Sequence, residues 1–124
     1  MKKILFLFGM AAAVASCSKS STANDQGPVI TVTAPSGNQV FTVGQTVTVT
    51  SAFTDQDNIQ KTQIHVVNKS SNADVLHAEG HPGTVSATLT GSFTAAAGVT
   101  YKIEVEAVDV AGNESKVELQ VTVK

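Results

Sequence analysis

Residues 46–54 read TVTVTSAFT. In an extended chain Val47, Val49 and Phe53 point to one side and the intervening threonines to the other, because successive side chains alternate. This period of two is typical of a strand that buries one face and exposes the other to water. Valine and threonine are also branched at Cβ, which favours extended backbone. We therefore predict a half-buried β-strand here.

The same alternation continues on both sides of this segment, from residue 28 to the end of the chain. Turn-forming glycine, proline, asparagine and aspartate separate the alternating segments, and residues 55–58 (DQDN) are predicted to be a polar loop. The predicted strands and extended pieces cover residues 28–33, 40–43, 46–54, 59–68, 73–78, 84–94, 101–109 and 117–123. We therefore predict that residues 28–124 form one all-β domain, an antiparallel β-sandwich of about seven strands.

The composition excludes one class of partner. The chain has 124 residues, of which 42% are hydrophobic and 15% are charged. Its eight basic residues are all lysine, and ten carboxylates give a formal net charge of -2. The chain therefore has no basic surface to neutralise a phosphate backbone, and we expect no nucleic acid among its partners.

The N-terminus has the features of an export signal. Lys2 and Lys3 precede an apolar run at residues 4–14, which is too short to span a bilayer. Residues 1–16 are therefore predicted to be a signal peptide. The four residues Val14-Ala15-Ser16-Cys17 resemble the lipobox of bacterial lipoproteins. The resemblance implies diacylglyceryl transfer to Cys17, cleavage before it, and acylation of the new N-terminus.

Cys17 and the residues after it predict an anchor and a tether. Cys17 is the only cysteine, so the mature domain has no disulfide. Residues 17–27 are polar and nearly without bulky side chains, which predicts a flexible tether. By similarity to enterobacterial lipoproteins, Ser18 after the cysteine favours the outer membrane. We expect a protein held in the bacterial cell envelope, at the outer membrane, by lipid on Cys17.

One hairpin carries a second resemblance. Residues 106–115, EAVDVAGNES, resemble the penultimate-hairpin signature of bacterial Ig-like and fibronectin type III-like surface domains. Gly112 and Asn113 suit the positive φ values of a tight turn. Tyr101 lies where such sandwiches place a tyrosine corner. The resemblance implies an Ig-like β-sandwich, and within that group the chain is similar to small uncharacterised lipoproteins of Bacteroidetes type.

The histidines form the first candidate site. His65, His77 and His81 are the only three in the chain. A hairpin symmetric about Ser71 places His65 opposite His77, close enough for two imidazoles to share a metal, and His81 follows in the next loop. Asp74 or Glu79 would complete a tetrahedral site for zinc, copper or nickel. The alternative is that the histidines are solvated polar residues beside a hairpin.

Oxygen ligands form the second candidate site. In an Ig-like topology the loop at Asp55 and Asp57 lies at the same end as the turn that contains Asp109 and Asn113. Ca²⁺ takes six to eight oxygen ligands, and this group offers several. Aspartate and asparagine are also what turns use for their own geometry, so a structural role is the alternative.

Catalysis has little support in the sequence. Neither a nucleophile elbow nor a phosphate-cradling glycine loop is present. Glu104 and Glu106 share an exposed face with lysine neighbours, which is unlike the desolvated carboxyl pair of a glycosidase. Phe41 is the only aromatic side chain expected to be exposed, which argues against sugar stacking. We expect no enzyme but a lipid-anchored binding or structural module with a protein or glycan partner, the alternative being an envelope protein that binds zinc or copper.

Overall fold

The computed structural model describes residues 26–124, in which seven strands and no helix are present. The strands are β1 (Val29–Ala34), β2 (Val40–Phe41), β3 (Thr46–Asn68), β4 (Asp74–Gly80), β5 (Thr84–Thr94), β6 (Thr100–Asp109) and β7 (Glu114–Val123). The all-β prediction of about seven strands is confirmed. Across these residues no helix is long and apolar enough to cross a membrane. The predicted signal peptide, Cys17 and most of the tether lie outside the described residues.

Strand β3 belongs to both layers of the sandwich. Its first part, residues 46–54, pairs with β1 on one side and β5 on the other. From Ile59 onward it pairs with β4 and β6 instead. Strand β7 then pairs with β6, and β2 pairs with β7. The smaller layer is therefore β1-β3-β5 and the larger layer is β4-β3-β6-β7-β2.

Two details of the predicted pattern are wrong. Residues 55–58 are not a loop, because the chain stays extended through them while β3 exchanges its partners between Thr54 and Ile59. The carbonyl of Asn58 accepts a hydrogen bond from the Val110 amide at 2.9 Å, which keeps this segment attached to the sheet. The short strand β2 pairs with β7 in parallel, whereas every other pair is antiparallel.

The core lies between the two layers and is built from the alternate residues that the pattern selects. Its largest fully buried apolar side chains are Phe53, Ile59, Ile64, Ile103, Val47, Val49, Val66, Val105 and Val121. Tyr101 is 3% exposed, and its hydroxyl accepts a hydrogen bond from the Ala96 amide at 3.0 Å. The predicted tyrosine corner is therefore confirmed, with the ring 4.7 Å from that of Phe93.

Two apolar residues differ in exposure from the prediction. Phe41, expected to be exposed, is 7% exposed because its pairing with Val123 of β7 turns it into the core. Val85, which the alternation of residues 84–94 would bury, is 49% exposed. The register between β3 and β5 skips from Ser86 to Thr84, so Val85 has no partner on β3.

Candidate functional site

The histidine pair forms on the β3–β4 hairpin in the predicted register. Val66 pairs with Leu76, and His65 pairs with His77. Both imidazoles lie on the outer face of the larger layer, because Ile64 and Val66 on the alternate positions are fully buried. Their ring centroids are 5.6 Å apart with planes inclined by 54°. Two nitrogen donors are therefore close enough for one metal ion to contact both after modest rotation.

Carboxylates flank His65 on both sides. Its Nε2 atom lies 2.8 Å from Oδ1 of Asp74, and its Nδ1 atom lies 3.7 Å from Oε1 of Glu104. Glu104 pairs with His65 across β3 and β6, and Glu118 is the next residue across, on β7. A row of four polar side chains, His77, His65, Glu104 and Glu118, therefore crosses four adjacent strands. We call it the polar row.

His81 lies apart from this pair. Strand β4 stays extended to Gly80, so the four residues from His77 to His81 span about 13 Å of chain. The Nε2 atom of His81 lies 3.3 Å from Oε2 of Glu79, which also lies 3.8 Å from Nζ of Lys61. The two predicted carboxylate ligands therefore contact different histidines: Asp74 lies beside His65, and Glu79 lies beside His81. The three histidines do not converge.

Glu104 is the electrostatic centre of the polar row. Its side chain is 15% exposed, with the Lys102 ammonium at 3.3 Å and the Lys116 ammonium at 3.6 Å from Oε2. Burial opposes its ionisation. The ammoniums of Lys102 and Lys116 outweigh burial and hold the pKa of Glu104 below its ordinary value. The sequence indicates the lysine neighbours but not the contact with His65, which depends on the register between distant strands.

The predicted oxygen site converges in part. Within residues 26–124, one group of at least three metal-ligand side chains has its donor atoms within 4.8 Å of one another, and it is Asp55, Asp57 and Asp109. The first two lie where β3 exchanges its partners, and Asp109 ends β6. Asn113 donates from Nδ2 to Oδ2 of Asp109 at 3.1 Å, so its amide supports that carboxylate. The calcium hypothesis stays a prediction.

Asp109 organises the β6–β7 turn. It is fully buried, and its Oδ1 accepts hydrogen bonds from the amides of Ala111 at 3.0 Å and Asn113 at 2.9 Å. Burial would raise the pKa of this carboxyl, but the hydrogen bonds from Asn113 and Ala111 outweigh burial and hold it below the ordinary value. Gly112 has φ +92° as expected, whereas Asn113 is not among the residues with positive φ.

A cavity opens beside the polar row. Its volume is about 420 Å³, and it lies between the turn at residues 37–38 and the outer face of β6 and β7. Lys69 and Gln120 both line it, and Lys69 donates from Nζ to Oε1 of Gln120 at 3.0 Å. Charged and polar side chains line it together with Leu119 and the stems of Lys69 and Lys102, so its surface is mixed in character.

Comparison with known protein families gives a match at the N-terminus. Residues 1–18 match the prokaryotic membrane lipoprotein lipid attachment site. The match includes Cys17, the residue that the sequence pattern selects for lipidation. No curated protein is significantly similar to the chain in sequence.

Solved structures are similar to the chain in fold. The fibronectin(III)-like modules of CbhA from Clostridium thermocellum match with a TM-score of 0.55 at 18% identity, covering 77% of this chain and 96% of that one. The superoxide reductase (neelaredoxin) from Ignicoccus hospitalis gives a TM-score of 0.53 at 10% identity, covering 80% of this chain and 81% of that one. At these identities the likeness concerns the fold alone. The attachment site and the fibronectin(III)-like neighbour together support a lipid-anchored lipoprotein with an Ig-like fold.

Proposed function

We propose that the protein is a non-enzymatic module of the bacterial cell envelope, displayed at the outer membrane for binding or structural purposes. The observation that carries this proposal is the lipid attachment site at residues 1–18, followed by a seven-stranded β-sandwich. Acyl chains on Cys17 hold the protein, and the tether that ends at residue 27 gives the domain a reach of roughly 15 to 20 Å. Loops and sheet edges are then free to contact a partner.

The electrostatics favour binding over catalysis. Within residues 26–124, the surroundings of Glu104 and Asp109 lower the pKa of each carboxyl and favour its ionised form. A general acid needs the opposite shift, towards protonation near neutral pH. Both carboxylates are also occupied by hydrogen bonds or ion pairs with neighbouring groups. They therefore suit structure and recognition.

A protein partner fits the surface better than a glycan. Modules that bind sugars on a flat face stack them on exposed aromatic rings. Within residues 26–124 the phenylalanines and the tyrosine are all buried: Phe41, Phe53, Phe93 and Tyr101. The polar row and its cavity present charges and amides instead, which suit hydrogen bonding to a polypeptide.

Separation of inner and outer membranes by density tests the location. We expect the wild-type protein to band with the outer membrane. Replacing Ser18 with aspartate should move it to the inner-membrane band if the enterobacterial sorting rule applies, and replacing Ser20 with aspartate is the matched control that should leave it in place. Wild-type protein found only in the inner membrane would contradict the outer-membrane proposal and leave the lipid anchor intact.

Transition-metal binding is a second candidate function, and the His65–His77 geometry favours it. The two ring centroids are 5.6 Å apart across the strands with planes inclined by 54°, and Oδ1 of Asp74 lies 2.8 Å from Nε2 of His65. Two imidazoles and a carboxylate are a common set of ligands for zinc, and imidazole also suits copper. The solvent-exposed face would leave a position for water or a partner's ligand.

Titration calorimetry of the mature protein in detergent, with zinc and with copper, tests this second function. We expect binding at micromolar affinity or tighter, abolished by His65→Ala and by His77→Ala. His81→Ala is the matched control, because His81 lies with Glu79 away from the pair, and it should bind as the wild type does. No heat with either metal, or equal loss in all three variants, would contradict a site on the hairpin.

A further inference from the structure

Strand β5 presents a long unpaired edge. It pairs with β3 on one side, and no described strand is hydrogen-bonded to its other side, although Leu76 of β4 packs against it at Gly91. Its 11 residues, TVSATLTGSFT, extend over about 36 Å and include no charge and no proline. The register with β3 is continuous from Thr94 to Ser86. An edge of this length and composition is a ready template for another strand.

The other edges of the two layers carry features that oppose pairing. Strand β1 has six residues between Pro28 and Pro35 and a register shift after Val32. Strand β4 carries Asp74 and Glu79 with a shift opposite Val66. Strand β2 has two residues. Charges, prolines, bulges and short length are the usual means by which sheets avoid edge-to-edge contact. Strand β5 has no charge and no proline, and its one register shift is confined to its first residues, before Ser86.

The sequence of β5 is symmetric about Leu89. Its outward residues are Thr84, Ser86, Thr88, Thr90, Ser92 and Thr94, which give the same order in both directions. Its inward positions mirror each other in character, with Val85 opposite Phe93 and Ala87 opposite Gly91. Antiparallel self-pairing about Leu89 therefore matches hydroxyl with hydroxyl and apolar with apolar, without placing an inward side chain on the outer face.

We propose that two copies of this protein associate through β5, antiparallel and about a two-fold axis at Leu89. The two smaller layers then form one continuous six-stranded sheet, β1-β3-β5 followed by the same strands of the second copy in reverse order. The pairing satisfies the free amides and carbonyls of both edges. It also covers Val85, which is 49% exposed and meets the partner's Phe93.

Membrane anchoring favours this association. A single strand pair is a small interface, and copies held on one membrane meet at a high local concentration. The inference rests on the proposed anchoring only because the lipid anchor supplies this high local concentration. Anchoring is therefore measured by fractionation of the same samples, so that its failure is distinguished from a failure to pair.

Register-specific disulfide trapping in membranes tests the proposal with the full mature protein. Two differently tagged variants, Ser86→Cys and Ser92→Cys, are co-expressed, and membranes are treated with a dithiodipyridine oxidant. The proposed register places residue 86 of one copy opposite residue 92 of the other, with Cβ atoms about 5 Å apart. Each variant expressed alone is the control, since identical positions lie about 20 Å apart across the axis. We expect a mixed disulfide dimer that is at least tenfold more abundant than in either control.

Lysine substitutions on the β5 edge provide a second test of the proposal. Thr88→Lys combined with Thr90→Lys places like charges directly opposite each other across the axis and should reduce the mixed dimer at least tenfold. The matched control is Thr31→Lys with Thr33→Lys, on outward threonines of the opposite edge strand, which should leave trapping unchanged. No mixed dimer above the single-variant level, or trapping that the β5 lysines leave unchanged, would overturn the proposal.

Discussion

Replacing Asp109 with alanine should lower the free energy of unfolding by about 3 kcal/mol at neutral pH. The substitution removes the acceptor for the Ala111 and Asn113 amides and for the Asn113 side chain, at a fully buried position. Each buried or half-buried donor that loses its partner lowers the free energy of unfolding by about 1–3 kcal/mol. The loss is smaller at Ala111, which is exposed to water. Asp109→Asn keeps the volume and should cost about 2 kcal/mol, because one amide oxygen replaces two carboxylate oxygens. Urea unfolding monitored by circular dichroism measures both values.

The effect of Asp109 should also depend on pH. The folded-state pKa lies below the ordinary value of 3.8, so the unfolded state takes up a proton first as the pH falls. The stabilising contribution is therefore complete above the unfolded pKa and is lost as the pH falls through the folded pKa. The difference between wild type and Asp109→Asn should shrink on acidification below 3.8. Asp74→Asn, at a side chain 76% exposed, is the matched control and should cost under about 0.5 kcal/mol. A pH-independent difference would contradict the role given to the ionised carboxylate.

Replacing Cys17 with serine should abolish the lipid anchor of the protein. The attachment-site match includes this residue, and its sulfur is where the diacylglyceryl group would be attached. Each buried CH₂ of an acyl chain contributes about 0.8 kcal/mol, and two or more chains give stable anchoring. Fractionation with immunoblotting should find the wild type in membranes and Cys17→Ser in the soluble fraction or, uncleaved, at the inner membrane as the precursor.

Ser20→Ala is the control for this experiment. It changes the tether beside the lipobox and leaves the cysteine in place, so its distribution should follow the wild type. A Cys17→Ser protein that is cleaved and still bands with the membranes would contradict anchoring through that residue. Such a result would indicate attachment through the domain itself.

Local patterns predicted most of the fold. Alternation along residues 46–54 and 101–109 reflects which side of each strand faces the core, so Phe53 and Ile103 are buried as expected. The polar loop predicted at residues 55–58 was wrong because polarity reports exposure rather than backbone direction. The predicted burial of Val85 was wrong for a related reason. Its exposure depends on where β3 stops pairing with β5, which the local alternation does not show.

In the candidate sites too, contacts within a local hairpin were predictable and contacts between distant strands were not. The His65–His77 pair follows from a short hairpin, whose register is a local property, and it is confirmed. The contact between His65 and Glu104 joins strands far apart in sequence, and no local signal fixes that register. The convergence of Asp55 with Asp109 was predictable only through the resemblance to Ig-like domains. His81 does not join the pair, because β4 stays extended to Gly80.

The most direct test of a lipid-anchored Ig-like module is the intact mass of the mature protein extracted from membranes with detergent. We predict a polypeptide that begins at Cys17 and carries the added mass of a diacylglyceryl group and an N-linked acyl chain. A membrane-extracted or secreted species that retains residues 1–16, or that begins at Cys17 with an unmodified thiol, would contradict the account.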